Sequence, residues 1–139
     1  MSPLMPMATS SSFEVSARRE SETGILSLRG RVIGERSVQL REAIEAFLRE
    51  DGIRHVVLNL RGVEFLDSAG LGMLVALHRR AQEEDRRLVL AELPGPLSRL
   101  LRVTKLDQIL EIFPDERTAC AALSGAEASP QAAERGKDG

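Results

Sequence analysis

The run Val56-Val-Leu-Asn-Leu60 most constrains the fold, because it is almost continuously apolar. A strand with one wet face alternates apolar and polar residues, whereas a continuous apolar run is typical of a strand covered on both faces. Leu88-Val-Leu-Ala91 has the same character. Strands of this kind occur in parallel sheets, where the helices that connect them cover the sheet. The two runs therefore predict an α/β domain.

Amphipathic helical patterns separate the strand-like runs. Val38 to Arg49 and Leu71 to Ala81 each place their apolar residues on one stripe and their polar residues on the other. Further helices are predicted to begin at Pro96 and at Pro114-Asp115, because proline is favoured in the first helical turn. Helices between strands imply crossover connections and parallel strand pairs.

A hairpin is predicted at the start of the domain and a short strand near its end. Phe13–Ala17 and Gly24–Leu28 alternate with a period near two, and Glu22-Thr23-Gly24 supplies a turn between them. Ile109–Phe113 is the last strand. We therefore expect a single α/β domain, with a mostly parallel mixed sheet of about five strands and about four helices packed largely on one face.

The domain is expected to occupy residues 13–123 of the 139. Residues 1–12 are rich in Pro and Ser, and residues 124–139 have no hydrophobic period. Both segments predict disordered tails.

Composition argues against several classes of function. The net charge is −2 and aromatic residues make up 3%, with no Trp and no Tyr, which argues against a nucleic-acid partner. No apolar run is long enough to span a membrane, and residues 1–12 do not resemble a secretory signal. The single cysteine, Cys120, has no partner within the chain. A cytoplasmic, reducing location is expected.

The hexapeptide Asp67-Ser-Ala-Gly-Leu-Gly72 is the main candidate site. It follows a predicted buried strand and opens a predicted helix, which places the Ser68 hydroxyl beside Asp67 at a helix N-terminus. The first N–H groups of a helix lack intrahelical partners and stabilise negative charge. Ser68 is thus suited to carry a phosphate. The alternative is that Ser68 merely caps the helix, as serine often does.

The helix after the hexapeptide has an unusual outer face. Projected at ~100° per residue, it turns Gly72, Met73 and Ala76 away from the core, with Arg80 at their edge. Exposed helix faces normally carry charge, and Met is adaptable at binding surfaces. These four residues predict a partner-binding patch next to Ser68. The alternative is that Met73 contacts a neighbouring element and the patch is covered.

The sequence offers no catalytic or metal-binding cluster. His55 is predicted to start a strand and His78 to face the core, so neither is an obvious base for Ser68. Clusters of Cys and His with metal-ligand spacing are absent from the sequence, and Gly70-Leu-Gly72 matches no nucleotide-binding motif. We expect a chain that is not an enzyme and has no cofactor.

Several segments together resemble the STAS domain, and more narrowly the bacterial anti-sigma factor antagonists. The similar segments span about Phe13 to Leu123, and the most specific is Asp-Ser-x-Gly-Leu-Gly after a buried strand. They are Val57–Leu60, Phe65–Gly72, Leu88–Leu90, Leu97–Leu101 and Leu106–Ile109.

The resemblance implies a partner switch. The serine kinase activity of an anti-sigma factor would phosphorylate Ser68, and a serine phosphatase would reset it. The unphosphorylated chain would bind the anti-sigma factor and free the sigma factor for transcription. Asp67 would be the acidic neighbour, and Ala69, Gly70 and Gly72 the small residues of the docking loop.

Two positions depart from the family pattern. Ala69 stands where many members have a second hydroxyl residue. Gly30-Arg-Val-Ile33 stands where many have Gly-x-Leu-Asp in the loop after the second strand. Two rival functions stay open: a STAS scaffold without a switch, in a stress-signalling complex or a transport system, and a nucleotide-binding STAS protein. A homodimer also stays open.

Overall fold

A five-stranded mixed sheet, whose strands lie side by side in their order along the chain, forms the centre of the structure. The structure is a computed structural model that describes residues 13–124. The strands are β1 (Phe13–Glu20), β2 (Thr23–Val32), β3 (His55–Leu66), β4 (Leu88–Ala91) and β5 (Glu111–Phe113). The helices are α1 (Arg36–Arg49), α2 (Ser68–Glu83), α3 (Gly95–Val103) and α4 (Glu116–Ser124), with a 3-10 turn at Leu106–Gln108.

The strand pairing confirms the predicted sheet. β1 and β2 form an antiparallel hairpin, and β2, β3, β4 and β5 are parallel neighbours. β2 and β3 stay paired as far as Val32 and Leu66, through two register shifts. β4 is much shorter and pairs only with Val56–Asn59. The second half of β3 therefore has β2 on one side and no described strand on the other.

The helices cover the two faces of the sheet unequally. α1, α2 and α3 pack on one face and form the larger core with residues such as Leu40, Leu58, Leu74 and Leu101. α4 packs on the other face through Ala119 and Leu123, and Cys120 lies partly buried beside them. Three of the four helices share one face, as expected. No helix within residues 13–124 is both long and apolar enough to cross a membrane.

Several boundaries differ from the sequence predictions. β3 continues six residues beyond Leu60, and α2 begins at Ser68 and not at Leu71. Gly30–Val32 belongs to β2, so the loop that was predicted there starts at Ile33. Charged residues such as Arg29 and Arg61 interrupt the apolar pattern at this end of the strands, and both are exposed. The predicted tails lie outside the described residues, except Ser124, which ends α4.

Candidate functional site

The predicted site lies at the carboxyl edge of the sheet, where β3 ends and α2 begins. Asp67 is the N-cap of α2, and its backbone is extended, with φ −82° and ψ 177°. Its Oδ1 accepts a hydrogen bond from the Gly70 N–H at 2.9 Å. Asp67 therefore satisfies one of the helix-initial N–H groups, and the alternative that Ser68 caps the helix is wrong.

Asp67 also binds the loop between β2 and α1. Its Oδ2 accepts a hydrogen bond from the Gly34 N–H at 3.0 Å. The two backbone bonds, led by the one from Gly34, lower the pKa of the Asp67 carboxyl below its usual range. Asp67 is thus an ionised group whose two oxygens are both fixed.

Ser68 is the first residue of α2, and its side chain is exposed. Because Asp67 caps the helix, the Ser68 hydroxyl is not needed as a cap. This hydroxyl makes no hydrogen bond with any residue in 13–124. Ala69 is exposed beside it. The site thus presents one accessible hydroxyl at a helix N-terminus that favours negative charge.

The two glycines of the loop have different roles. Gly70 is buried, and a Cβ there would lie 2.6 Å from Leu66 Cδ1, so the start of α2 packs closely on the end of β3. Gly72 is exposed, and a Cβ there would meet nothing within 4 Å. Gly70 is thus required by packing, whereas Gly72 leaves open space on the outer face of α2.

An exposed stripe runs from Ser68 along α2. Ser68, Gly72, Ala76 and Arg80 follow one another at intervals of four residues, so they lie on one face over about 18 Å. All four are exposed. Met73 differs, because it is only partly exposed and packs against the main core. The alternative that Met73 contacts neighbouring elements is therefore correct for this one residue, but the rest of the patch is open.

A shallow groove adjoins this stripe between α1 and α2. It has a volume of about 290 Å³, and we call it the α1/α2 groove. Its apolar surface includes Val38, which is 43% exposed. Arg80 bonds Glu45 at 2.8 Å across its rim. The lining residues are Ser37, Val38, Arg41, Glu45, Met73, Ala76, Leu77 and Arg80. Three of the four predicted patch residues line this groove, and Gly72 lies beside it.

The loop at Gly34 was not predicted to belong to the site. Gly34 has φ +60°, which favours glycine, and the Ser37 hydroxyl donates to its carbonyl at 2.8 Å. These contacts fix the loop against Asp67. The glycine directly before a helical pattern was a signal for a turn at this position. It could not predict the bond to Asp67, because the two residues lie 33 positions apart in the sequence.

Neither histidine lies at the site. His55 begins β3, about 35 Å from its other end at ~3.3 Å per residue, and its Nδ1 accepts from the Arg87 N–H. His78 is buried, and its Nδ1 lies 3.2 Å from the Leu88 carbonyl oxygen. Among residues 13–124 no group of three or more His, Cys, Asp or Glu side chains could hold a metal ion. The described residues thus offer Ser68 no histidine base.

Comparisons with known proteins agree on one domain family. Residues 14–119 match the family model described as the STAS domain. The anti-sigma F factor antagonist of Paenibacillus polymyxa is 26% identical over 106 residues, which cover 75% of this chain and 91% of that protein. The anti-sigma-B factor antagonist of Staphylococcus aureus is 29% identical over 65 residues, 47% of this chain and 60% of that protein.

The fold agrees with solved structures as well. An anti-sigma factor antagonist from Mycobacterium paratuberculosis superposes with a TM-score of 0.70 at 23% identity, over 84% of this chain and 97% of that one. The Bacillus cell fate determinant SpoIIAA in its phosphorylated form superposes with a TM-score of 0.61 at 18% identity, over 81% and 99%. The family model covers most of the chain, and the chain belongs to the STAS domain family.

Proposed function

We propose that this chain is an anti-sigma factor antagonist that acts as a phosphorylation-controlled protein-interaction switch, with Ser68 as the acceptor. One observation carries the proposal: the Ser68 hydroxyl is exposed, free of hydrogen bonds to described residues, and continuous with the exposed stripe of α2. The relatives that carry the name of anti-sigma factor antagonist, from Paenibacillus and Staphylococcus, support the choice of partner. The phosphorylated form of the Bacillus relative supports phosphorylation as the modification.

The chain is a substrate in this proposal and not an enzyme. The partner's kinase site transfers the γ-phosphoryl group of ATP to Ser68 Oγ, so that one P–O bond forms and the bond to the ADP leaving group breaks. The hydroxyl proton passes to a base of the kinase, since neither histidine of this chain lies at the site. A serine phosphatase reverses the change with water and releases inorganic phosphate.

Phosphorylation changes the charge of the surface without a change of fold. A phosphoserine adds about −1.5 to −2 charges at pH 7. Asp67 already supplies one negative charge, because its pKa is lowered. The helix N-terminus tolerates the added charge locally. A partner that packs on the neutral hydroxyl meets repulsion and a desolvation penalty of roughly a few kcal/mol.

The partner is expected to bind along the stripe and in the α1/α2 groove. Gly72 and Ala76 give a surface without long side chains, so a partner element can approach α2 closely. Val38 and Met73 supply apolar contact, and the Arg80–Glu45 ion pair forms a polar rim. The unphosphorylated chain thereby sequesters the anti-sigma factor and frees the sigma factor for transcription.

The test is a native pull-down with phosphosite mapping. Wild type, Ser68→Ala and Ser68→Asp are compared, with Ser21→Asp as the control, because Ser21 is exposed in the β1–β2 turn at the opposite edge of the sheet. A kinase-like anti-sigma factor should be captured by wild type, Ser68→Ala and Ser21→Asp, and lost by Ser68→Asp. Phosphate should map to Ser68 in wild type. Equal capture by all four proteins would show that Ser68 is not the switch.

A further inference from the structure

A pocket lies at the amino edge of the sheet, at the opposite end of β3 from Ser68. Its volume is about 630 Å³, and we call it the amino-edge pocket. The β1–β2 turn, the start of β3, the turn before β4 and the end of α4 line it. Pockets of this size commonly hold small molecules. No residue of the phosphorylation site belongs to its lining.

Thr23 and His55 line the amino-edge pocket with buried polar side chains. They are register partners on the parallel strands β2 and β3, so their side chains lie next to each other on the same face of the sheet. This is the face that α4 covers, because Ile25 and Val57, two residues further along each strand, belong to the core under α4. Thr23 is 5% exposed and His55 is 8% exposed. Two polar side chains are thus removed from solvent side by side.

Each of the two side chains has a polar atom without a partner in residues 13–124. The Thr23 hydroxyl makes no hydrogen bond there. His55 Nδ1 accepts from the Arg87 N–H at 3.0 Å, so the neutral imidazole carries its proton on Nε2, and this N–H has no acceptor there either. Burial lowers the pKa of His55, which favours the neutral ring. Because buried polar groups are normally hydrogen-bonded, these two donors indicate a ligand that offers acceptor atoms.

Charges of both signs lie near His55. The charged groups that act on its pKa are Arg54, Arg87, Glu22 and Glu111. Arg87 and Glu111 form an ion pair with each other. Arg54 and Glu22 form no ion pair with a residue in 13–124, and the same is true of Asp85, which lines the pocket with them. The pocket therefore combines one cation and two carboxylates that are not neutralised by each other.

We propose that the amino-edge pocket binds a small zwitterion, an amino acid with a free carboxylate and a free amine. The carboxylate accepts hydrogen bonds from the Thr23 hydroxyl and His55 Nε2–H and faces the Arg54 guanidinium. The ammonium group faces Glu22 and Asp85. A carboxylate alone would meet these two acids without compensation, and an amine alone would offer the two buried donors no acceptor. The site is independent of the phosphorylation of Ser68.

The test is an NMR titration of the full chain with three probes of equal length. 4-Aminobutyrate carries both charges, butyrate only the negative one and butylamine only the positive one. The chain has two histidines, so two imidazole spin systems report on binding, and His55→Asn assigns them. At about pH 7.5, 4-aminobutyrate should shift the His55 signals saturably, with a Kd about tenfold lower than that of either other probe. His78 does not line this pocket, and its signals should stay unchanged.

Thr23→Val removes the buried hydroxyl at nearly constant volume. It should weaken binding of 4-aminobutyrate about tenfold and raise the Tm of the ligand-free chain, because an unpartnered buried hydroxyl destabilises the fold. Thr104→Val is the matched control, since the Thr104 hydroxyl is exposed and donates to the Leu100 carbonyl at 2.8 Å. The control should bind 4-aminobutyrate as wild type does.

The double variant Glu22→Gln/Asp85→Asn removes both carboxylates and keeps the size of the side chains. It should bind 4-aminobutyrate and butyrate equally well, whereas Ser68→Ala should keep the preference of wild type for 4-aminobutyrate. Equal affinity of wild type for the three probes, or shifts at both histidines, would overturn the proposal. No saturable shift at His55 would also overturn it and would leave ordered water as the partner of Thr23 and His55.

Discussion

The Gly34 N–H donates to Asp67 Oδ2 at 3.0 Å, and this bond joins the loop after β2 to the start of α2. The other carboxylate oxygen accepts from Gly70, so one side chain holds both segments. In the family pattern a loop aspartate is expected near Ile33. Here Ile33 supplies no carboxylate, and the loop contacts the site through its backbone. The loop after β2 therefore contacts the site through a backbone N–H and not through a side chain.

Substitutions of Gly34 test the left-handed backbone that presents this N–H. A Cβ at Gly34 would meet nothing within 4 Å, but φ is +60°, which strains a β-branched residue far more than Asn. Gly34→Val should lower the free energy of unfolding by about 1–2 kcal/mol, and Gly34→Asn by less than about half of that. Urea denaturation measures both. Equal losses in the free energy of unfolding would show that the positive φ of residue 34 does not cause the destabilisation.

Gly70 and Gly72 lie two residues apart on α2, so the same substitution can be compared at a buried and an exposed position. Gly70→Ala should lose about 1–2 kcal/mol of stability, because its Cβ would press on the buried Leu66 side chain. Gly72→Ala should gain roughly 0.5–1 kcal/mol, since the position is open and Ala is the better helix former. Thermal unfolding monitored by circular dichroism separates the two. A loss from Gly72→Ala would mean that the outer face of α2 is more crowded than its geometry shows.

The fold was largely predictable because its main signals are local. Val56–Leu60 is apolar except for Asn59, and Leu88–Ala91 is apolar throughout. β3 and β4 are buried there as predicted, apart from the half-buried Asn59. The predicted core stripe of α2 is also correct, since Leu71, Leu74, Leu77, His78 and Ala81 are all buried. Periodicity of 2 or 3.6 residues reports which face an element buries, and it needs no knowledge of distant partners.

The rest depends on contacts between distant residues. β3 extends past Leu60 because β2 pairs with it through two register shifts. The hydrophobic periodicity of the two segments does not predict these shifts. Asp67 and not Ser68 caps α2 because the helix begins at Ser68, three residues before the start that its apolar pattern suggested. The α1/α2 groove needs the relative position of two helices. The sequence therefore located the site but could not predict how its parts meet.

Blocking the α1/α2 groove should prevent partner capture without unfolding the chain. Ala76→Arg places a long charged side chain in the groove, where Ala76 is exposed and no core contact is lost. Capture of the anti-sigma factor should fall at least about tenfold. Ala121→Arg is the control, because Ala121 is exposed on α4 at the opposite face. Equal capture by the two variants would mean that the partner does not use this groove.

His55 should make stability depend on pH in a defined window. His55 is buried, and burial first, then the nearby Arg54 and Arg87, lower its pKa below the ordinary value. Because the unfolded chain binds a proton near pH 6.5 and the folded chain only at lower pH, stability is complete above about pH 6.5 and falls as the pH drops towards the folded pKa.

His55→Asn isolates this contribution. The Asn side chain can still accept from the Arg87 N–H, which His55 Nδ1 accepts at 3.0 Å, but it does not titrate. Asp67, Asp115 and Glu116 have lowered pKa values, so their stabilisation is lost only below about pH 4. Urea denaturation between about pH 4.5 and 7.5 should show stability rising with pH in wild type, and a flatter dependence in His55→Asn. Parallel curves would assign the dependence to another group.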